Sequence, residues 1–506
     1  MKMNRIVSTL VLMATCAVAS QAAPWAQVRT AVGDREKPDY AKFTNETLPL
    51  RTTVVRGEDY AAPASEAIVL SSTADNEIDG FGYAITYSTA YNLLKMSPEE
   101  RRALLERTFS PDKGYGVSYI RMSLGGCDFS STEYTLCDTY DPSDPLKHFG
   151  LASDELNYVI PVLREILEIN PSLKIIAAPW SAPVWMKVEA DNPSQPHPFY
   201  KAGSLGKDYY KVYGEYFAKF VKAMADNGIT IYAVSPQNEP LTQHNNMSLY
   251  MPWEQQADFI KTGLAPAFKA AGLNTLIYVF DHNYNYDNIQ SQNDYPVKAF
   301  QRMGKDFDGA DLVVGAAYHN YGGNPSELAD IRKQAPDMQL LFTEASIGEW
   351  SDGRNLRRRL ATDMDDLVIS TTLNGCRGAI VWNFMLDSEE GPHMSNGGCT
   401  TCYGAVDINK DDYSKVSLNS HYYIMALASA AVKPGAKRLH TDGWWADKLS
   451  YAAFANPDGT KAILFANKGD ENRQAKVVAD GVTYTIDVPA HSAVSVVMGL
   501  ADAPAK

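Results

Sequence analysis

Cysteine is scarce in this chain, with 6 in 506 residues, and one of them, Cys16, lies in an N-terminal apolar stretch. The others, Cys127, Cys137, Cys376, Cys399 and Cys402, are odd in number, so at least one thiol stays unpaired and a dense disulfide framework is excluded. Long apolar runs are also missing. Beyond the N-terminus no stretch approaches the ~20 residues of a membrane helix, so no integral membrane segment is expected. Basic charge is in deficit: 46 Lys and Arg against 60 Asp and Glu leave a net charge of −14. That balance repels phosphate backbones and anionic lipid and points away from nucleic acid as a partner. No Gly-x-Ser-x-Gly elbow, phosphate loop or dinucleotide fingerprint occurs. Esterases, kinases and dehydrogenases are thereby disfavoured, and no cofactor is implied. Internal repeats and low-complexity segments are absent as well.

Residues 1–23 have the make-up of a secretory signal peptide: Lys2 and Arg5 at the start, an apolar stretch from Ile6 to Ala19, and small residues around Ser20 and Ala22. The expectation is export, to the periplasm, the cell surface or the medium. Acylation at Cys16 is the minor alternative, weakened by Thr15 before it. In an exported chain, Cys399-Thr-Thr-Cys402 offers a tight disulfide, a redox pair or half of a metal site. The disulfide is preferred, because no second Cys-x-x-Cys or His pair completes a metal site. Cys376, just before an apolar strand, reads as a buried free thiol.

Residues 24 to about 50 carry Pro, charge and little periodicity and read as a surface linker or extended arm. A short strand follows near residue 68. From Asp79 to about residue 430, apolar strands alternate with helical patterns. The strands are one near Phe81, then Val117–Met122, Leu173–Ala178, Ile229–Ser235, Leu276–Phe280, Leu312–Ala317, Leu340–Thr343 and Ala379–Trp382. That number closes a (β/α)8 barrel. After Leu449 the texture changes to hairpins. The expected fold class is α/β: a TIM barrel over 79–430 and a small all-β sandwich over 431–506, to which residues 24–78 add an arm and a strand.

Glu239, in Val-Ser-Pro-Gln-Asn-Glu-Pro, and Glu344, in Leu-Phe-Thr-Glu-Ala, follow the fourth and seventh of these strands. They are about 105 positions apart, or about 35 per strand-helix unit, close to the roughly 31 of a typical eight-unit barrel. Both would open onto one face. Glycosidic cleavage needs one carboxyl to protonate the departing oxygen and another to meet the charge at the anomeric carbon. Either glutamate alone is more simply a salt-bridged structural residue; two at matching strand ends among aromatics favour catalysis. Asn238, whose amide suits a sugar hydroxyl, marks Glu239 as the acid/base and leaves Glu344 as nucleophile, and the nearby charge of Glu344 is expected to push the carboxyl of Glu239 up.

Trp180, Trp185, Tyr318, Tyr321 and Trp382 follow strands and suit stacking on a sugar, with core packing an equal alternative. Asp128 suits ring hydroxyls or a cap. Arg121 is expected to pair with a carboxylate inside the barrel, and His319 to touch ligand or to sit just behind it. The run Asp281-His-Asn283 and the loop 287–294 match no metal-ligand spacing and read as a barrel-top loop, so no metal is expected.

These segments together resemble glycoside hydrolase family 30, the group containing lysosomal glucosylceramidase and β-1,6-glucanases. The resemblance runs from about Gly80 to the C-terminus. Its carriers are Gly80-Phe-Gly82, the run Tyr119 to Ser130, Ala178-Pro-Trp-Ser-Ala-Pro-Val-Trp-Met-Lys187, Ala233 to Pro240, Leu341 to Ala345 and Val381-Trp-Asn383. It implies a barrel joined to a sandwich built from both chain ends and a retaining mechanism. Glu239 would be acid/base and Glu344 nucleophile; Asp128, Trp180, Asn238 and Trp382 would hold the glucosyl unit, with Arg121, His319 and Tyr321 in support.

Glucosylceramidases have His-Trp-Tyr where this chain has His319-Asn-Tyr321, and the Gly397 to Cys402 loop resembles the bacterial glucanase branch. The sequence therefore points to an exported retaining β-glycoside hydrolase acting on β-1,6-glucan, with glucosylceramide or another β-glycoside as alternative substrate. A silent glycan-binding protein is the rival from another class. Oligomeric state is not legible.

Overall fold

The computed structural model describes residues 24–34, 50–284 and 289–500; the expected signal peptide lies outside the described residues. Eight parallel strands close a barrel in chain order: Gly80–Ala84, Tyr119–Ser123, Lys174–Ala178, Ala233–Val234, Leu276–Asn283, Val313–His319, Gln339–Glu344 and Cys376–Val381. The fourth is much shorter than the expected Ile229–Ser235. Its flanks still bond in register, Tyr232 N to Ile175 O at 2.9 Å and Ser235 N to Ala177 O at 2.9 Å, but the chain turns away at Pro236. Closure brings backbones very close. A Cβ on Gly82 would lie 1.7 Å from the Tyr119 carbonyl oxygen, so only glycine fits there.

The barrel interior is layered, because side chains alternate along each strand. Tyr119, Ile176, Ala233, Tyr278, Ala317, Leu341 and Ile380 form an apolar plug. Two positions further along their strands come Arg121, Ala178, Ser235, His319, Thr343 and Trp382, so the next layer is polar and aromatic. At the opposite end, buried Asp79 accepts from Lys174 Nζ at 2.5 Å and Arg377 Nε at 2.9 Å, tying the base of the barrel together.

Nine strands form a second sheet that folds over its own apolar core. The supposed linker contributes to it: Trp25–Val32 is a strand lying between Arg51–Arg56 and Ser492–Leu500. Ala26, Val28 and Thr30 of that strand are buried, an alternation stabilised by a partner at the far end of the chain. Ile68–Glu77 also joins this sheet, beside Lys437–Gly443. The helix Ser420–Ala431 is buried on every side, as expected of a predominantly apolar helix set inside a core rather than at a surface.

Candidate active site

Glu344 is the last residue of the seventh strand, in register with His319 of the sixth. Glu239 sits on a turn after the fourth. Its backbone is left-handed, at φ 45°, a conformation rarely adopted by glutamate and held here by bonds on both sides. Its N–H donates to Asp281 O at 2.9 Å, Asn238 N donates to Pro179 O at 2.9 Å, and the Gln237 side chain donates to Trp180 O at 2.8 Å. The turn is thus bolted to the third and fifth strands.

Arg121 joins the two halves of the site. From the second strand, with no exposed side-chain surface, it donates to Glu344 Oε2 at 2.5 Å, Asp281 Oδ2 at 2.8 Å and Asn238 Oδ1 at 2.7 Å. Its guanidinium also lies 5.0 Å from the ring of Trp180 and 5.5 Å from that of Trp382. Those two rings stack on each other with centroids 5.2 Å apart. Tyr321 Oη donates to Glu344 Oε1 at 2.9 Å. His319 lies between the carboxylates, with Nδ1 3.3 Å from Glu239 Oε1 and 3.9 Å from Glu344 Oε1, and Nε2 3.0 Å from Asp281 Oδ1.

One centre therefore collects Glu239, Glu344, Arg121, Asn238, His319, Tyr321, Trp180 and Trp382, all expected from the sequence. Asp128 lies close by. The residue is half-buried, and Oδ1 of its carboxyl is a buried atom with no hydrogen-bond partner among the described residues. Burial, with the charges of Glu344 and Glu239, pushes it up to about 8, so near neutral pH it presents a hydroxyl as well as an acceptor. It caps nothing through Oδ1.

Two aromatics belong elsewhere. Trp185 donates its indole N–H to Cys137 O at 2.8 Å and packs on Tyr140 and Tyr209. Tyr318 is core, stacked on Tyr284 at 5.7 Å, because on its strand His319 takes the inward position.

Asp281, expected in a barrel-top loop, sits instead inside the barrel and is wholly buried. Alternation from inward Tyr278 would turn Phe280 inward, but the ladder slips between Phe280 and His282, and both Phe280 and Asp281 have positive φ, 73° and 70°. This bulge rotates Asp281 to Arg121, His319 and Thr343, whose Oγ1 donates to it at 2.6 Å. The other missed residue is Asn245, which donates to Glu239 Oε2 at 3.0 Å from a loop with no strand pattern to place it. Part of the loop 287–294 lies outside the described residues.

The electrostatics differ from expectation. Burial favours a neutral Glu239, but the hydrogen bond from His319 and the charges around it hold that carboxyl below its ordinary value. At Glu344 burial prevails over His319 and Arg121 and pushes the carboxyl up. The expected push on Glu239 by Glu344 is thus outweighed by an imidazole that sequence spacing could not put at its side. For His319, burial is outweighed by Glu344, Asp281 and Glu239, which raise it to about 9. Burial alone would raise Asp281, but Arg121 and His319 hold it well below the carboxylate range. Glu239, His319 and Glu344 offer donor atoms within 4.8 Å of one another, a spacing that suits a metal; two cations of the protein, Arg121 and protonated His319, already lie against these carboxylates and Asp281. Cys399 and Cys402 are disulfide-bonded, and Cys127, Cys137 and Cys376 are buried free thiols.

Two close carboxylates at the C-terminal ends of barrel strands, walled by stacked indoles, define a class of protein: a glycoside hydrolase. The model of the Glycosyl hydrolase family 30 TIM-barrel domain matches residues 78–428, and that of the family's beta sandwich domain matches residues 435–496. The chain belongs to glycosyl hydrolase family 30. A solved endo-β-1,6-glucanase is 46% identical, with a TM-score of 0.84 over 93% of this chain and 98% of its own. An endo-1,6-β-D-glucanase of Trichoderma harzianum is 29% identical over 87% of this chain and 88% of its own length. The lysosomal acid glucosylceramidase of Mus musculus is 26% identical over 78% and 76%.

Proposed function

We propose that this chain is an exported endo-β-1,6-glucanase that retains anomeric configuration, with Glu344 as nucleophile and Glu239 as acid/base. The observation carrying this reading is the closeness of the two glutamates. Their nearest oxygens lie within 4.8 Å, near the about 5–5.5 Å of retaining enzymes and short of the about 6.5–9.5 Å that leaves room for water in inverting ones. The similarity to a solved endo-β-1,6-glucanase at 46% identity supports the choice of glucan. Against glucosylceramide stands the residue between His319 and Tyr321, an Asn instead of Trp.

In the first step a Glu344 oxygen bonds to the anomeric carbon as the glycosidic bond breaks, and Glu239 gives its proton to the departing oxygen. Water then attacks the glucosyl ester, losing a proton to Glu239 and releasing Glu344. Trp180 and Trp382 supply an apolar wall for the sugar ring, and Asp128 and Asn238 take its hydroxyls. The carboxylate pair titrates as a unit. The imidazolium of His319, whose Nδ1 lies 3.3 Å from Glu239 Oε1, supplies Glu239 with the proton it passes to the departing oxygen and takes it back after water has attacked.

The test is early product release from linear β-1,6-glucan, resolved by chain length, with Glu344→Gln as blank and glucosylceramide in parallel. A ladder of short gluco-oligosaccharides is expected. Glucose alone would replace internal by terminal cleavage, and release from glucosylceramide only would overturn the substrate.

A further inference from the structure

A cavity of about 620 Å³ is walled by Glu133 and residues 198–202, 244–246 and 396–397, and Asn245 of that wall donates to Glu239. Its size falls among ligand pockets of about 300–1,000 Å³. We propose that this cavity receives the sugar on the departing side of the scissile bond, with Phe199 as stacking platform and Asn246 as hydrogen-bond acceptor. The proposal rests on the acid role of Glu239 given above.

Three observations carry it. The two oxygens of Glu239 face different neighbours: Oε1 meets His319 near Glu344, while Oε2 accepts from Asn245 of the cavity wall. The Glu239 carboxyl therefore touches both the centre at Glu344 and His319 and the wall of this cavity. Second, Asn246 is held rigidly with one atom unused. Its amide nitrogen donates to Glu133 and to Asn396 O. Its Oδ1 has no partner among the described residues, although the residue is only 7% exposed. A buried acceptor without a donor costs free energy unless a ligand satisfies it.

Third, Phe199 is 64% exposed, and its ring is supported edge-on by His197 at 5.7 Å. His197 is itself held through Nε2, which donates to Lys201 O at 2.7 Å. A large exposed aromatic held at the rim of a polar cavity matches the apolar face and hydroxyl edge of a glucosyl unit.

The test compares linear β-1,6-gluco-oligosaccharides with β-glucosyl fluoride, whose leaving group is a single atom and leaves the cavity empty. Phe199→Ala is expected to lower kcat/KM on the oligosaccharides about tenfold, the order of a lost aromatic contact, and to leave the fluoride rate within about twofold. Phe199→Tyr restores the oligosaccharide rate. Transfer of glucosyl from the fluoride to a β-1,6-linked glucose disaccharide, measured as the ratio of transfer to hydrolysis, falls in Phe199→Ala. An equal loss on both substrates, or an unchanged oligosaccharide rate and transfer ratio, overturns the proposal. Failure of the catalytic reading is seen separately, as Glu344→Gln keeping wild-type rates on both.

Discussion

Replacing Arg121 by Met removes the one guanidinium that neutralises Asp281 and Glu344, at 2.8 and 2.5 Å, while keeping much of the side-chain volume. Breaking a buried ion pair by deleting one partner costs about 3–5 kcal/mol, because the remaining charge stays buried. With an unfolding entropy of about 2.1 cal/mol/K per residue over the roughly 350 residues matched as barrel, that corresponds to a Tm about 4–7 °C lower. The pH dependence identifies the cause. Asp281 is held below its ordinary value by Arg121, so its share of stability is present above about pH 4 and is lost as pH falls through the depressed folded value. Arg121→Met never has that share. The gap in Tm between variant and wild type is therefore full from neutral pH down to about pH 4 and closes only below it, as pH falls toward the depressed folded value. Arg121→Lys restores charge but not the fork that reaches three acceptors, so it regains most of the Tm while turnover stays at least about tenfold down. Thermal unfolding of the three proteins from about pH 2 to 8, with glucan turnover alongside near neutral pH, checks this. A Tm gap independent of pH, or a fully active Arg121→Lys, would refute the reasoning.

Glu239→Gln should lose about 10²–10⁴-fold on glucan, whose leaving group needs a proton, and far less on β-glucosyl fluoride, which does not; initial rates on both decide it. With Asp128 pushed up to about 8, kcat/KM should fall as pH rises past about 8, and Asp128→Asn, a mimic of the protonated acid, should move that limb upward; profiles from pH 5 to 10 read the shift. Gly82→Ala, which sets a Cβ 1.7 Å from the Tyr119 carbonyl oxygen, should yield no soluble folded protein, seen by size-exclusion chromatography and circular dichroism. Replacing Cys399 and Cys402 by Ser opens a loop closed over a separation of 3 residues and should cost about 2 kcal/mol or less, measured by denaturant unfolding.

The barrel was legible because its strands are short apolar runs delivering polar residues at their ends, and that pattern is local. Glu239, Glu344, Arg121 and Trp382 could be placed by counting strands. Asp281 could not, since the bulge at Phe280 reverses the alternation on which such counting depends. Trp25–Val32 escaped for a different reason: its partners are Arg51–Arg56 and Ser492–Leu500, and a sheet pairing spanning the whole chain leaves no mark in neighbouring residues. Trp185 shows the converse error, because following a strand is not the same as facing the barrel axis. The direction in which the Glu239 carboxyl is pulled depended on the exact seat of His319, which only three-dimensional packing supplies.

The central claim is a covalent glucosyl-enzyme on Glu344, and the most direct measurement is to trap it. Wild-type protein incubated with 2-deoxy-2-fluoro-β-glucosyl fluoride, then digested and analysed by mass spectrometry, should carry one fluoroglucosyl group on the peptide containing Glu344, and Glu344→Gln should carry none. A label on Glu239, or an unlabelled wild-type protein that still hydrolyses β-1,6-glucan, would contradict the account.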